Sequence, residues 1–437
     1  MTTSQTSEPT RQQGAAIARL AHRAALRTAC IAALVAPLLT ACSGSTALGD
    51  NRAVDSLTAL PRALTAVERD AVSAGNSFAL RLLRASDARA AGKNVLLSPL
   101  SVSLALGMTM NGAAGETESQ MAGTLGWRGR TRAEINTAYR DLMTMLPTLD
   151  PAVTVTLANA IWVRTPLVAD TGFAGDVRRY FNAEIRSAAT PSAMFDAVNA
   201  WGNTQTKGLV PKVLDTPPPD DLLMLLANAV YFDGAWRDRF ESANTKPGPF
   251  RLESGTDVSV PLMTRDGRFR GFTDGALFAA ELAYGNTAYT MLLLAPQTGT
   301  VSSLVATLDS ARLATITNGL ATVSASTPLT LPRFRVSGSL ELGPHLAALG
   351  MPRAFTDAAQ FPRLLGPSVK IGFVRHGVAV DVDEAGTRAA AVTSVGVVPT
   401  SVPLPLSYRF DKPFVFMIRE RFVGTVLFVG VVRDPRA

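Results

Sequence analysis

Cysteine and histidine are scarce in this chain: its 437 residues include two cysteines, at positions 30 and 42, and three histidines. A structural zinc site takes about four Cys or His ligands held close together, so this composition argues against one. The GxSxG, HExxH and Walker motifs are missing too. A serine nucleophile needs a base beside it, and neither His345 nor His376 lies in such a motif. We therefore expect a protein that is not an enzyme and has no cofactor.

Runs of like charge are also missing. The chain has 42 Lys and Arg against 35 Asp and Glu, and no basic run is interleaved with aromatic residues. This pattern argues against a nucleic-acid partner. What is abundant is apolar material, 47% of the residues, which is enough for a large globular core.

The N-terminus has the pattern of a signal peptide, which we assign to residues 1–41. Its basic part is followed by the apolar run Ala29–Ala41, which at thirteen residues is too short to span a membrane comfortably. The run ends in Leu39-Thr40-Ala41-Cys42, which resembles the bacterial lipobox, whose cysteine is lipidated and becomes the new N-terminus. The alternative is an ordinary signal peptide followed by a chance cysteine. The basic residues are Arg11, Arg19, Arg23 and Arg27.

Removal of this leader changes what remains. The leader carries four arginines and one glutamate, so the formal net charge falls from +7 to about +4. No thiol is left to form a disulfide, because Cys30 is lost and Cys42 carries lipid. We expect a cell-envelope lipoprotein at the outer membrane or cell surface, a sorting that Ser43 favours. Residues 42–65 are small and polar, which predicts a flexible spacer.

The rest of the chain, residues 66–437, is predicted to be one α+β domain. A helical period runs from Ala66 to Leu83, and Ser98 or Ser101 is placed to cap a second apolar helix. Val153–Val163 and Leu222–Phe232 are apolar on both faces, which predicts central, covered strands. We expect His376 to be a buried, hydrogen-bonded histidine in a strand and His345 to be solvated at a helix start.

An uncharged stretch lies near the C-terminus. No charged residue occurs between Arg388 and Arg409, and the intervening residues are mostly small or β-branched. Such residues neither favour a helix nor make a safe exposed strand, so the stretch needs a special explanation.

Several blocks together supply that explanation, because they resemble serpins, in the family's order, over roughly residues 66–435. The resemblance implies the serpin fold: three β-sheets, about eight or nine helices and an exposed reactive-centre loop. The blocks are NVLLSPLSVSLALGMTMNGAAGETESQ (94–120), ANAIWV (158–163), VNAWGNTQTKGLV (198–210), ANAVYFDGAWRDRF (227–240), LPRFRV (331–336) and FDKPFVFMIRERFVGTVLFVGVVRDP (410–435).

The resemblance implies a serine-type endopeptidase inhibitor that acts as a suicide substrate. A target serine or cysteine protease cuts the loop, and the loop inserts into the central sheet while still bound to the enzyme. The implied hinge has small residues at the inward positions, and Arg388 stands outward where the family usually has an acid. The hinge residues are Glu384, Gly386, Thr387, Arg388, Ala389, Ala390 and Ala391; the inward positions are Thr387, Ala389, Ala391, Thr393, Val395 and Val397.

Family spacing from Glu384 places the reactive bond between Thr400 and Ser401. The loop is about two residues longer than the commonest length, so Val398 and Val402 remain alternatives. All these side chains are small, which favours an elastase-like target and disfavours a trypsin-like one.

The resemblance also assigns switch residues that have no catalytic role. Ser98, Ser101, Asn228 and His376 match the shutter beneath the central strands, and Trp236 matches the breach where the loop enters. Four arginines fall near helix D, which binds glycosaminoglycans in some serpins, but Glu134 and Asp141 interrupt them and favour a solvated face. They are Arg128, Arg130, Arg132 and Arg140.

Two further expectations concern partners. We expect a monomer whose partners are a protease, in a covalent complex, and a membrane, through the lipid anchor. The alternative function is that of a non-inhibitory serpin, a surface binding or chaperone-like protein. The hinge argues against it, because such members tend to carry prolines, charges or bulky residues at the inward positions.

Overall fold

The computed structural model describes residues 55–324, 327–365, 369–387 and 407–436. The predicted leader with Cys42, the hinge residues Arg388, Ala389, Ala390 and Ala391, and the reactive bond Thr400–Ser401 lie outside the described residues. No helix in the described ranges is both long and apolar enough to cross a bilayer.

Nine α-helices occur in the described residues. The first begins at a capping box in which Thr65 accepts from the Glu68 N–H while the Glu68 carboxylate accepts from the Thr65 N–H. The second begins after Ser98, which caps it ahead of Pro99. The helices are α1 Ala66–Asp87, α2 Pro99–Met110, α3 Gly115–Leu125, α4 Arg132–Met145, α5 Thr171–Phe181, α6 Pro191–Gln205, α7 Val301–Thr307, α8 Ser310–Gly319 and α9 Gly343–Ala348.

The described strands form three sheets. A seven-stranded sheet contains, in spatial order, β1 (Val95–Leu97), β17 (Val426–Val432), β16 (Phe414–Glu420), β9 (Tyr289–Pro296), β8 (Leu277–Ala283), β7 (Arg270–Thr273) and β10 (Ala321–Thr322). A four-stranded sheet contains β15 (Tyr408–Arg409), β11 (Pro328–Pro332), β6 (Asp257–Asp266) and β5 (Lys246–Arg251). The third, called the central sheet below, contains β12 (Phe334–Glu341), β13 (Arg375–Val382), β14 (Gly386–Thr387), β4 (Met224–Ala235), β2 (Val153–Arg164) and β3 (Glu184–Ala188).

The two apolar runs predicted as central strands are β2 and β4, and this prediction is confirmed. They pair antiparallel over eleven residues, from Val153 opposite Gly234 to Val163 opposite Met224. Helix α6 packs on one face through a cluster that includes Trp162 and Trp201. Helix α2 packs against β4 on the main core side. Consecutive residues are therefore buried at 159–163 of β2 and 229–232 of β4, where both faces are covered, whereas the first four residues of β2 alternate Val with Thr.

The packed part of the chain begins before residue 66. The Leu57 N–H donates to the Asn286 carbonyl at 2.7 Å, and Leu64 is buried in the core. Leu57 and Leu60 pack against the same core. The end of the segment predicted as a spacer is thus attached to the globular domain.

Candidate functional site

A two-residue strand closes one end of a gap in the central sheet. Gly386 pairs with Ala235 of β4, and Thr387 pairs with Gly234 of β4 and with Val382 of β13. Beyond Thr387, no hydrogen-bonded ladder joins β4 to β13 in the described residues. The sheet therefore has an interior position that β14 occupies only at its first two residues.

The sequence of β14 suits this narrow place. A Cβ atom on Gly386 would lie 2.2 Å from the Gly234 carbonyl oxygen, so only glycine fits without a shift of the backbone. The Thr387 side chain is buried, and its hydroxyl lies 2.6 Å from the Tyr284 hydroxyl. Thr387 thus faces the core.

A buried turn leads into β14. The Asp383 carboxylate accepts hydrogen bonds from the N–H groups of Ala385 and Gly386, at 2.8 and 3.2 Å. Burial raises the pKa of Asp383 above its usual range, and these two hydrogen bonds only partly oppose that effect.

Glu384 is fixed by two partners. Arg333 Nη2 lies 2.7 and 2.9 Å from its two carboxylate oxygens, and the Thr245 hydroxyl donates to it at 2.5 Å. Burial on its own would raise the pKa of Glu384, but the bonds from Arg333 and Thr245 outweigh it and lower the pKa. The first residue of the predicted hinge is therefore an anchored carboxylate.

Trp236 lies beside this anchored segment. Its Nε1–H donates to the Asp383 carbonyl at 2.8 Å, and its ring stacks on Tyr284 with centroids 4.5 Å apart. The same Tyr284 contacts Thr387 from its hydroxyl end. Trp236 and Tyr284 thus form the floor under the entrance to the gap.

Three of the four shutter residues share one hydrogen-bond cluster at the other end of β13. The Ser98 N–H donates to His376 Nε2 at 2.9 Å, and the Ser98 hydroxyl donates to the Leu427 carbonyl at 2.8 Å. The Ser101 N–H in turn donates to the Ser98 hydroxyl at 3.4 Å. His376 is buried, and burial lowers its pKa to about 4, so it is neutral and able to accept.

The fourth shutter residue, Asn228, has a different partner. Its Nδ2 donates to Asn159 Oδ1 at 2.6 Å, and no described hydrogen bond joins it to Ser98, Ser101 or His376. The two asparagines lie opposite each other on β4 and β2. The sequence ANA occurs once in each strand, and the asparagine side chains of the two copies are in contact.

Below the hinge, the gap widens into a cavity of about 430 Å³. It lies between the beginning of β4, the segment that leads into β13, and helix α2. Most of its lining is aliphatic or aromatic, including Leu106, Leu214, Met224, Leu364, Ile371 and Phe373. The central sheet is thus paired at one end and open at the other.

A strap, defined as residues 209–214, crosses the front of this gap. Asn199 on α6 holds it with three hydrogen bonds: Oδ1 accepts from the N–H groups of Val213 and Leu214, and Nδ2 donates to the Leu214 carbonyl. The backbone at Val213 passes close over Gly377 of β13, where a Cβ atom would lie 3.5 Å from the Val213 Cα. Any strand entering the gap has to pass beneath this strap.

Several of these residues did not emerge from sequence analysis. Arg333 and Asn199 lie inside quoted family blocks but carry no individual signal in them. Tyr284 lies in no block, because only tertiary folding brings it under Thr387. The sequence ANA occurs in both β2 and β4, and this repeat could have been used to predict a role for Asn159.

Two other sequence expectations can be compared with the structure. His345 does begin a helix, but the expectation that it is solvated is wrong: the side chain is buried, and Nδ1 lies 3.1 Å from the Glu341 carbonyl. Of the four arginines near α4, three form ion pairs: Arg130 with Asp70 and Glu134, Arg132 with Glu118, and Arg140 with Asp141.

The geometry defines a class of protein: one whose central sheet holds the start of an extra strand and room for its continuation. The chain belongs to the serpin family, described as serine protease inhibitors, whose family model matches residues 73–435. In general, serpins inhibit proteases and are not catalysts, but some members are non-inhibitory.

Individual relatives resemble this chain over most of its length. Iripin-2 of Ixodes ricinus is 32% identical over 374 residues, which are 84% of this chain and 94% of that protein. Corticosteroid-binding globulin of Homo sapiens is 28% identical and covers 84% of this chain and 91% of that protein. Among solved structures, thyroxine-binding globulin in complex with thyroxine has a TM-score of 0.77 at 26% identity, covering 84% of this chain and 99% of that one. The prediction of a three-sheet serpin fold is confirmed, with nine α-helices in the described ranges.

Proposed function

We propose that this protein inhibits serine endopeptidases by inserting its cleaved reactive-centre loop into the central sheet. The observation that carries the proposal is β14, which holds Gly386 and Thr387 between β13 and β4 while the rest of that position is unpaired. Because the pairing of β14 already sets the direction and register of the strand, insertion would only have to extend β14 along β4 and β13.

The observed register predicts the neighbours of each inserted residue. Continued beyond Thr387, it places Thr393 between Asn228 of β4 and His376 of β13. Side chains alternate along a strand, so Thr393 faces the core as Thr387 does. Asn228 Oδ1 is buried and accepts no hydrogen bond from any described residue, so the Thr393 hydroxyl would supply its missing donor.

The same register accounts for Arg388. On the outward face it would lie between Asp233 of β4 and Asp381 of β13. The family's usual acid would meet two carboxylates there, whereas arginine forms favourable cross-strand pairs. The departure from the family pattern thus supports insertion in this chain.

The chemistry needs only the protease's own machinery. Its serine oxygen attacks the Thr400 carbonyl carbon, an ester forms, and the amide bond to Ser401 breaks as the leaving amine takes a proton. Insertion then carries the ester-linked protease away before water completes hydrolysis. New ladder hydrogen bonds, at about 1 kcal/mol each, and burial of the inward side chains favour the inserted state.

The small residues around Thr400 favour an elastase-like target, with Val398 and Val402 as the alternative positions. Any of the three suits a shallow apolar specificity pocket. The lack of Lys and Arg between Arg388 and Arg409 disfavours trypsin-like enzymes.

We also propose that the protein is a monomer anchored at the cell envelope. Residues 1–41 would be removed, Cys42 would be lipidated, and a spacer from residue 42 would join the anchor to the serpin domain, which was predicted as residues 66–437 and whose packed part already includes Leu57. Intact-mass analysis of the protein purified from a bacterial membrane fraction tests this, since it reports both the loss of the leader and the addition of lipid.

The test of inhibition is incubation with pancreatic elastase, using protein that lacks residues 1–41 and carries Cys42→Ser. We expect a covalent complex that survives denaturation, at the summed mass less a C-terminal peptide beginning at Ser401. Trypsin serves as the control enzyme and should form no such complex.

The competing function is that of a non-inhibitory serpin. It predicts clean cleavage by elastase with no covalent complex and no rise in heat resistance afterwards. Cleavage followed by a marked rise in heat resistance would retain the insertion mechanism and point to a different target protease.

A further inference from the structure

We infer that residues 55–64, called the arm below, latch the hinge end of the central sheet and slow the parting of β4 from β13. The latch itself is a set of contacts in the native fold, whereas its consequence for inhibition rests on the function proposed above. The arm lies before residue 73, where the match to the family model begins. It is therefore an addition to the part of the chain that the family model describes.

The arm is packed against the domain along its length. Near its end, Leu64 is buried, and its carbonyl accepts a hydrogen bond from Arg69 Nη1 at 2.6 Å. Near its beginning, the Leu57 N–H donates to the Asn286 carbonyl at 2.7 Å, and both Leu57 and Leu60 pack against the core. A segment fixed at both ends in this way can restrain whatever it contacts.

What the arm contacts is the turn between β8 and β9, residues 284–288. Arg421, which follows β16, joins the two: its Nη2 donates to the Leu57 carbonyl and its Nε to the Thr287 carbonyl, both at 2.9 Å. Thr287 has a φ of 75°, which is unfavourable for a β-branched residue and persists only where the surroundings enforce it. The arm and Arg421 contribute to that enforcement.

The same turn fastens β2 and β4 to the seven-stranded sheet. The Asn286 N–H donates to the Asp150 carboxylate at 2.7 Å, and Asn286 Nδ2 donates to the Leu149 carbonyl at 2.8 Å, just before β2 begins. The Gly285 N–H donates at 3.1 Å to the carbonyl of Ala235, the last residue of β4. Ala235 is also a residue with which β14 pairs. The turn thus connects the arm to the entrance of the gap.

These connections bear on how the gap opens. Because β2 and β4 are paired with each other over eleven residues, they would have to move together away from β13. That movement pulls on the turn through its hydrogen bonds to both strands. A turn braced by the arm follows less easily than a free one, so the arm should slow opening.

The first measurement is hydrogen exchange on the full-length chain carrying Leu57→Pro, which removes the N–H that donates to Asn286. Ala59→Pro is the matched control, because Ala59 is exposed and its N–H donates to no described residue. We expect exchange in segments 233–237 and 384–387 to become about five-fold faster in Leu57→Pro, as for the loss of one hydrogen bond. The control should leave it unchanged.

Exchange elsewhere in the molecule distinguishes a latch from general support. Strands β16 and β17 serve as the reference, because they lie in the seven-stranded sheet. An equal increase there, or no increase at the hinge end, would overturn the inference. Arg421→Gln removes the link between arm and turn from the other side and should give the same local increase. It replaces Leu57→Pro if that variant fails to fold.

Trapping of elastase separates the latch from the proposed function. If Leu57→Pro speeds both the local exchange and the formation of the covalent complex, the latch limits insertion. Faster local exchange with an unchanged rate of complex formation contradicts the slowing of insertion. If local exchange rises but even the unsubstituted protein forms no complex and gains no heat resistance on cleavage, the latch stands and the insertion mechanism falls.

Discussion

The two ends of the gap between β4 and β13 differ sharply. At the hinge end, Gly386 and Thr387 are paired on both sides and contacted by Tyr284, and Glu384 is held by Arg333. At the far end the same two strands enclose a cavity, and Asn228 retains an unpaired acceptor. At the hinge end the strands are hydrogen-bonded through β14, and at the far end no strand lies between them in the described residues.

If the loop inserts as proposed, the difference indicates which end of the gap supplies the driving force. The hinge end contributes order, because its hydrogen bonds already exist and change little on insertion. The far end would contribute the gain in free energy, since filling a cavity and pairing a buried acceptor would both stabilise the inserted form. The strap, held by Asn199, crosses the gap and lines part of the cavity, so we expect it to influence how readily the gap opens.

The largest effect is expected at the first inward position. A charge cannot be buried cheaply beneath Tyr284, so Thr387→Arg should expel β14 from the sheet in the native form. Insertion would then have to bury that charge, so it should fail and elastase should cut the loop without being trapped. The denaturing gel should lose the covalent band completely. Arg388→Lys, which keeps the outward charge, is the control at the neighbouring position. If this variant also lost the covalent complex, the assignment of Thr387 to the inward face and Arg388 to the outward face would be contradicted.

Acid should weaken the shutter. His376 is held neutral with a pKa of about 4, below the ordinary 6.5, so the folded state binds its proton less readily than the unfolded state does. Above pH 6.5 His376 is neutral in both the folded and the unfolded state and costs no stability. As the pH falls towards 4, the free energy of unfolding decreases by about 3 kcal/mol on account of this residue. Thermal unfolding from pH 7.5 to 4.5 measures this.

His345 also has a lowered pKa from burial and contributes with the same sign. His376→Gln should flatten the pH profile more than His345→Gln does. If both substitutions reduced the pH dependence of stability equally, His376 would not be the main source of the loss of stability in acid.

A methyl group at the hinge glycine should disturb the closed end alone. Gly386→Ala brings a Cβ atom against the Gly234 carbonyl and should destabilise the native form by about 2 kcal/mol. Hydrogen exchange at Thr387 should increase at the same time. Gly338→Ala, in β12 of the same sheet with open space around it, should change stability by less than about 0.5 kcal/mol.

The smallest effect is expected at the strap. Asn199→Ala removes its three hydrogen bonds and should destabilise the native form by about 1 kcal/mol, because Asn199 is only half-buried. Insertion should become faster, which stopped-flow fluorescence of the trapped protease would record. An unchanged rate would mean that the strap does not limit opening.

The sequence by itself determined the family, the three-sheet fold and the course of β2 and β4. Those features follow from local patterns: apolar runs of strand length, Ser98 before Pro99, and blocks in a fixed order. The family resemblance also predicted a hinge beginning at Glu384, and Gly386 and Thr387 of that segment form β14 in the central sheet.

Only the tertiary structure decided which side chains meet. Arg333 and Glu384 are far apart in sequence, as are Tyr284 and Thr387, and no periodicity connects them. His345 is buried although its segment resembles a solvated helix start, because neighbouring elements cover it. The cavity is likewise a property of packing: it exists because β4 and β13 remain unpaired below Thr387, and a linear pattern does not encode the space between two strands.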